Sequence, residues 1–290
     1  MTTRKNNNRL KIGGHVSAAG GPRTGITHAR RIGAECIQIF GSSPQQWHVK
    51  MPSTAQIKDF RAALGDNDLP VYLHAPYLVN LASPDATMIQ KSIHALSDHL
   101  KIAEVLGARG LIFHVGSGKG ADKDEVLKTA ARGMKETLKN VPGKTQLIIE
   151  NTAGGGSKIG ATLDEVAELV WLVKSPRVKV CIDTAHAFEA GVLDYSPASI
   201  KKFFDEFDEK IGIENLAALH ANDSKTLFGS HNDRHENIGA GAIGLTGFKN
   251  LAKEKRLWDK DWLLEVPGFD GEGPDAKNIA ILKSCFGVKK

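Results

Sequence analysis

Apolar residues in this chain gather into eight short runs, at about residues 10–16, 36–40, 71–75, 110–115, 146–150, 178–183, 216–221 and 262–266. Most runs are continuous rather than alternating with polar positions, which predicts strands buried on both faces. The intervening stretches have helical spacing, clearest at residues 86–107 (ATMIQKSIHALSDHLKIAEVLG) and 162–174 (TLDEVAELVWLVK). Ser, Thr or Asp stands near the helix starts and Gly near several ends. Strand and helix alternating eight times predicts an α/β fold, a single (β/α)8 TIM barrel over residues 10–290, and no Pro-, Gly- or Ser-rich linker divides it. Residues 1–9, basic and Asn-rich, are expected to be a disordered tail, because they bury too little apolar area to order themselves.

Nine polar residues sit at or just past the ends of these runs or in the loops that follow. They are His74 in VYLHAP, His114 in GLIFHVG, Glu150 in QLIIEN, Asp183 and His186 in VKVCIDTAH, His220 in LAALHAND, Asp233 and His235 in NDRH, and Glu265 in WLLEVPG. Catalytic groups of such barrels lie at the C-terminal ends of the strands, where all nine are predicted to fall. A lone histidine at a strand end is more often a hydrogen-bonded structural residue. Six strands delivering imidazoles and carboxylates to one mouth are another matter, since unpaired groups of this kind are costly to bury. The longest loop, His220 to about Ile243, is polar and Gly-rich with no element predicted inside it, and loops of that length usually serve a function. Asp233 and His235 are two residues apart, so in extended backbone they point the same way and can grip one ion.

Five histidines and four carboxylates suit Zn2+, or Mn2+ or Fe2+ at one or more positions, and they exceed what one tetrahedral ion can use. Two or three ions are implied, with at least one carboxylate shared. Glu150 is the best candidate for sharing, because it ends the middle strand of the set and its two oxygens can be divided between cations. The plainer alternative pairs Asp183 and Glu265 with Lys or Arg inside the barrel.

Composition narrows the function further. With 41% hydrophobic and 24% charged residues the chain is neither disordered nor fibrous, and the net charge of +5 favours a polyanionic partner. Cys36, Cys181 and Cys285 are an odd number outside any CxxC pattern, so they read as reduced thiols of a cytoplasmic protein, not as zinc ligands or disulfides. No apolar stretch is long enough to span a bilayer, and no membrane partner is expected. Three divalent cations against four carboxylates leave a formal excess of two positive charges, which attracts an anion; a phosphodiester fits, because such cations activate water and neutralise a leaving oxygen. The segments KIGGHVSAAGG, HVGSGKGADK and ENTAGGGSKIG lack phosphate-loop spacing and read as tight turns at the rim. His15 is expected behind the ligands. Tyr77 and Leu78, two loop residues beyond His74, are candidates for a wedge pushed into a base stack, and Gln46 and Trp47 occupy a similar rim position. Lys225 and Arg234 on the long loop are candidate phosphate contacts.

Together HVSAAGG, HAPYLVNL, FHVGS, IIENTAG, CIDTAHAFEAG, LHANDSKTLFGSHNDRH and LLEVPG resemble the endonuclease IV family of abasic-site DNA-repair enzymes, in the family's order, from about Ile12 to Glu265. The resemblance implies a TIM barrel with three zinc ions that cleaves duplex DNA 5′ to an abasic site, leaving a 3′-hydroxyl and a 5′-deoxyribose phosphate, and that clears blocked 3′ ends. It implies that His74 and His114 hold one zinc, with Glu150 bridging to a second that Asp183, His220 and Glu265 complete. His186, Asp233 and His235 would hold the third. Glu150 and Glu265 are accordingly the catalytic candidates, and Tyr77, Leu78 and Gln46 match residues that enter the duplex. Three departures stand out: Gln45 where the family often has Arg, HAPYL in place of an acidic residue with Ser, and HVGSG without the usual Pro. All touch DNA contacts or loop rigidity and leave the ligand set intact. A monomer is expected. Two other readings stay open: a metal-dependent sugar isomerase or epimerase on a related barrel, which needs only one or two ions, and a protein that binds DNA damage without cutting it.

Overall fold

Each of the eight apolar runs folds as a parallel strand in the computed structural model, which describes residues 10–47, 49–65 and 69–288. In chain order the strands are β1 (Lys11–His15), β2 (Ile37–Phe40), β3 (Val71–His74), β4 (Gly110–Phe113), β5 (Gln146–Glu150), β6 (Val178–Asp183) and β7 (Leu216–His220), then a two-residue pair, β8 (Asp223–Ser224) and β9 (His235–Glu236), and finally β10 (Asp261–Leu264). The order β1-β10-β7-β6-β5-β4-β3-β2 closes on itself, so the predicted (β/α)8 barrel is present. The tail expected over residues 1–9 lies outside the described residues.

The helices are α1 (Pro22–Ile32), α2 (Thr54–Leu64), α3 (Ala86–Leu106), α4 (Lys123–Asn140), α5 (Leu163–Val173), α6 (Thr184–Glu189), α7 (Pro197–Lys210), α8 (Gly244–Leu251) and α9 (Ala276–Cys285). Their ends follow from local chemistry. Asp85 caps α3 by accepting from the Thr87 amide, Thr162 caps α5 through the Glu165 amide, and Gly107 closes α3 in the left-handed conformation.

Strand periodicity splits the core in two. Leu73, Leu111, Phe113, Leu147 and Ile149 pack outward with buried helix residues such as Leu96, Met134 and Leu169. Tyr72, Ile112, Ile148, Cys181, Ala218 and Leu263 fill the barrel interior. Gly13 makes that filling possible: a Cβ there would stand 1.7 Å from the carbonyl oxygen of Cys36, the residue directly before β2. At the N-terminal end the interior closes on Asp261, whose carboxylate accepts from the Tyr72 hydroxyl and from Arg109, both at 2.7 Å.

The long loop departs from expectation. Residues 220–243 are not without structure: β8 and β9 pair antiparallel, Asp223 with Glu236 and Ser224 with His235, as a short hairpin. Two residues per strand give too little pattern to read from sequence.

Between barrel and helices, Trp262 is fully buried, its ring 5.0 Å from Phe286 and its indole N–H on the Leu257 carbonyl. Trp262→Ala is expected to cost about 3–5 kcal/mol of stability, read as a lower urea midpoint at constant slope. A loss under about 1 kcal/mol would mean that this packing contributes little.

Candidate metal centre

The interior residues locate the site by simple counting, because alternate residues of a strand face the same way. Two positions beyond Tyr72, Ile112, Ile148, Cys181, Ala218 and Leu263 come His74, His114, Glu150, Asp183, His220 and Glu265. The six strand-borne ligands predicted from sequence therefore stand directly above the apolar fill, at the C-terminal mouth.

The structure gathers these side chains into three groups whose donor atoms lie within 4.8 Å of one another: His74, His114 and Glu150; Glu150, Asp183, His220 and Glu265; and Asp183, His186 and His235. Glu150 belongs to two of these groups, the place from which it could be shared, and Asp183 belongs to two as well, which sequence did not indicate. Glu150 Oε2 lies 3.1 Å from His74 Nε2 and 3.5 Å from His114 Nε2, while its Oε1 is 2.8 Å from His220 Nδ1. Asp233 completes the third corner with Oδ1 at 3.3 Å from His186 Nε2 and 3.6 Å from His235 Nε2. Among the described residues Asp183 and Glu265 face histidines and form none of the Lys or Arg pairs considered above. The interior acid that meets an arginine is Asp261, at the opposite end.

Three of the imidazoles, His74, His186 and His220, are aimed through their other nitrogen, which fixes tautomer and ring orientation. His74 Nδ1 sits 2.7 Å from the Ala75 carbonyl, His186 Nδ1 3.0 Å from the Asn151 carbonyl, and His220 Nε2 2.9 Å from Gln38 Oε1. Gln38 also donates to Glu265 Oε1 at 2.6 Å, and His15 Nδ1 lies 2.9 Å from the same oxygen, which places His15 behind Glu265. Asn222 donates to Asp183 Oδ2 at 2.6 Å while accepting the Glu265 amide at 2.7 Å. Sequence reading missed Gln38, Asn222 and Asn151. The signal for Gln38 was present: it lies two residues beyond Cys36, so it faces inward, a polar group in the otherwise apolar IQIF.

Charge and burial act together here. Burial favours the neutral form of Glu150, but His114, His220 and His74 outweigh it and hold the carboxyl well below the usual range. Glu265 and Asp233 are also lowered, their histidine neighbours overcoming burial. Burial keeps His114 neutral, its pKa pushed down to about 4 despite Glu150. His186 and His220 go the other way: despite burial, the acidic groups around them raise both well above the usual imidazole range, so a cation binding there would displace their protons. His186 Nε2, His235 Nε2 and His114 Nδ1 are buried without a hydrogen-bond partner, and the two Nε2 atoms face Asp233. A cation at that corner would satisfy both, so the residues present fit a metal.

At the rim, Tyr77 is 65% exposed, its ring lying edge-on to Phe40 at 5.6 Å and 5.8 Å from His74. Partial burial pushes its hydroxyl up to about 12, so it remains a neutral donor near pH 7. Leu78 is half-buried, and Gln46 is exposed beside a cavity of about 780 Å³ that reaches from His15 and Phe40 out to Met51. Trp47 is half-buried and packs against the core. Lys225 and Arg234 are exposed on facing sides of the hairpin, the Lys225 amide donating to the Arg234 carbonyl. The Gly-rich segments divide: Gly154, Gly155 and Gly156 turn with positive φ and carry the chain past His231, whereas KIGGH is strand β1, so Gly13 and Gly14 are strand residues and not the turn expected there.

The xylose isomerase-like TIM barrel family matches residues 26–285. A relative from Aquifex aeolicus named probable endonuclease 4 is 35% identical over 276 residues, covering 95% of this chain and 97% of its own. The solved structure of endonuclease IV from Thermus thermophilus superposes with a TM-score of 0.83 at 32% identity, covering 96% of this chain and 99% of that one. A D-tagatose 3-epimerase-like protein superposes at 0.72 with 18% identity, a likeness of fold alone.

Proposed function

Because the chain belongs to the endonuclease IV family, we propose that it is a metal-dependent DNA-repair endonuclease that hydrolyses the phosphodiester 5′ to abasic sites in duplex DNA. The observation that carries this reading is the set of three donor groups linked through Glu150 and Asp183. A sugar epimerase on a related barrel needs only one or two ions, and the third group, with His186 and His235, exceeds that need. A protein that only binds damage gains nothing from nine aimed ligands.

The metal assignment is three Zn2+ per chain. His74, His114 and Glu150 would hold one; Glu150, Asp183, His220 and Glu265 a second; and His186, Asp233 and His235, with Asp183 beside them, the third. When bound, the ions supply Lewis-acid activation of the attacking water and charge neutralisation at the leaving oxygen. The chain's own residues do the positioning. Gln38 and His15 fix the Glu265 carboxylate, Asn222 ties Asp183 to the backbone of Glu265, and the carbonyls of Ala75 and Asn151 turn His74 and His186 inward. Tyr77 and Leu78 are assigned to the wedge, with Gln46 and Trp47 beside it and Lys225 and Arg234 on phosphates. Gln45, exposed at this rim, offers hydrogen bonds in place of a cation, so the gap left by the missing base is filled through Gln46 and Tyr77. The same phosphoester chemistry extends to blocked 3′ ends. Every proposed ligand comes from one chain, so the site is complete without a second copy, and no helix among the described residues is long and apolar enough to cross a membrane.

Incubation with a labelled abasic duplex tests the reading: a 3′-hydroxyl product, lost on chelation and restored by Zn2+, is expected. No incision with any divalent ion would refute it. Chelation should also loosen the fold. A site held at a hundredfold excess of ligand over Kd contributes about 2.7 kcal/mol, so stripping the metal should lower Tm by roughly 5–10 °C for a chain of this size. An unchanged Tm in differential scanning calorimetry would mean that the cluster binds no ion tightly.

A further inference from the structure

We propose that Glu189 is a positioning residue for the third donor group: its buried carboxylate clamps the β8–β9 hairpin to α6 and so sets where Asp233 and His235 stand relative to His186. The inference rests on the three-ion centre proposed above.

The short helix α6 carries His186 in its first turn and Glu189 one turn later. Asp183 ends β6 directly before α6, while Asp233 and His235 arrive on a separate segment, the hairpin whose residues 225–234 link β8 to β9. Glu189 is fully buried, and its Oε1 accepts from the Ser224 hydroxyl at 2.8 Å and from the Arg234 amide at 3.2 Å, with the Thr226 hydroxyl also at 3.2 Å. Arg234 is the residue between Asp233 and His235, so holding its amide fixes the peptide that joins the two ligands. The far side of the loop is secured independently, since Asp223 accepts from the amides of Gly239, Gly241, Ile243 and Gly244.

A carboxylate is an expensive group for merely fastening a loop. Its Oε2 is buried with no hydrogen-bond partner, and burial pushes the carboxyl pKa up. Two backbone hydrogen bonds and a ring contact already hold the hairpin tip: the His231 amide donates to the Glu189 carbonyl at 2.9 Å, the Gly229 amide to the Phe188 carbonyl at 3.1 Å, and the Phe188 and Phe228 rings meet at 5.4 Å. What the side chain adds is the link to Ser224 and Arg234, at the base of the hairpin where the ligands emerge. Partners that orient ligands in this way typically change metal affinity by roughly 10–100-fold when removed.

The test is Zn2+ titration of the metal-free full chain against a competing chromogenic chelator, for wild type, Glu189→Ala and Glu189→Gln. The alanine variant is expected to weaken one of the three ions by about 10–100-fold and leave the other two within about twofold. The glutamine variant keeps an accepting oxygen for the same donors and should restore most of that affinity. Calorimetry of the metal-free proteins separates this from general destabilisation. Unchanged affinities in Glu189→Ala with a lowered Tm would make the residue structural only and overturn the clamp. If the alanine variant does not fold, Ser224→Ala removes one donor alone; it should weaken the same ion, and unchanged binding would overturn the clamp equally. A wild-type chain that takes up fewer than three ions removes the centre and the clamp together, whereas three tight ions in both proteins remove the clamp alone.

Discussion

Glu150→Gln is expected to reduce the incision rate at an abasic duplex by at least about a thousandfold, equivalent to roughly 4 kcal/mol of lost transition-state stabilisation. The side chain keeps its length and one carbonyl oxygen, so packing around this fully buried position changes little. What it loses is a negative charge with oxygens on two sides, Oε2 toward His74 and His114 and Oε1 toward His220. An amide cannot neutralise two cations and presents N–H groups to one of them. Elemental analysis of the variant should find at least one ion fewer than in wild type, alongside near-native circular dichroism. Undiminished turnover with full metal content would reject Glu150 as the shared ligand.

The second large effect concerns the wedge. A Tyr77→Ala, Leu78→Ala double variant should bind an abasic duplex more weakly by about 2–3 kcal/mol, since each base stacked on an aromatic ring is worth about 1–3 kcal/mol. That is roughly a 30- to 150-fold rise in Kd, with metal content unaltered, because neither side chain belongs to the three donor groups. Fluorescence anisotropy with abasic and intact duplexes reads the difference. The loss should fall mainly on the abasic duplex. Equal loss on both would make the pair a general DNA contact, and no loss would return Tyr77 to a packing role against Phe40 and His74.

The barrel was legible because strands buried on both faces write themselves as continuous apolar runs, and polar residues at their ends are then conspicuous. His74, Glu150, Asp183 and His220 are the last residues of their strands, and His114 and Glu265 follow theirs directly. Legibility fails where a contact is made across distant segments. That Asp183 serves two donor groups depends on how the hairpin folds back onto α6, which no local spacing encodes. Asn222 and Asn151 look like loop residues until Asp183 is placed between them. Gln38 was within reach of period-two counting, yet it escaped notice because amides are rarely considered beside histidines and acids. A histidine with a purely structural role is present too: His99 Nδ1 donates to the Ala95 carbonyl one turn back at 2.8 Å, and its Nε2 lies 2.9 Å from the Ser42 hydroxyl just past β2.

The resemblance in sequence and the geometry of the mouth bear on different parts of the account. Relatives establish the family, while the distances explain why Glu150 and Asp183 tie the three donor groups into one centre. The direct measurement of that centre is anomalous diffraction at the zinc edge from crystals grown with an abasic duplex. Three peaks are predicted, one within each donor group, with the phosphate 5′ to the lesion against them. One peak or none, with Glu150 and Asp183 bonded only to histidines, would contradict the account.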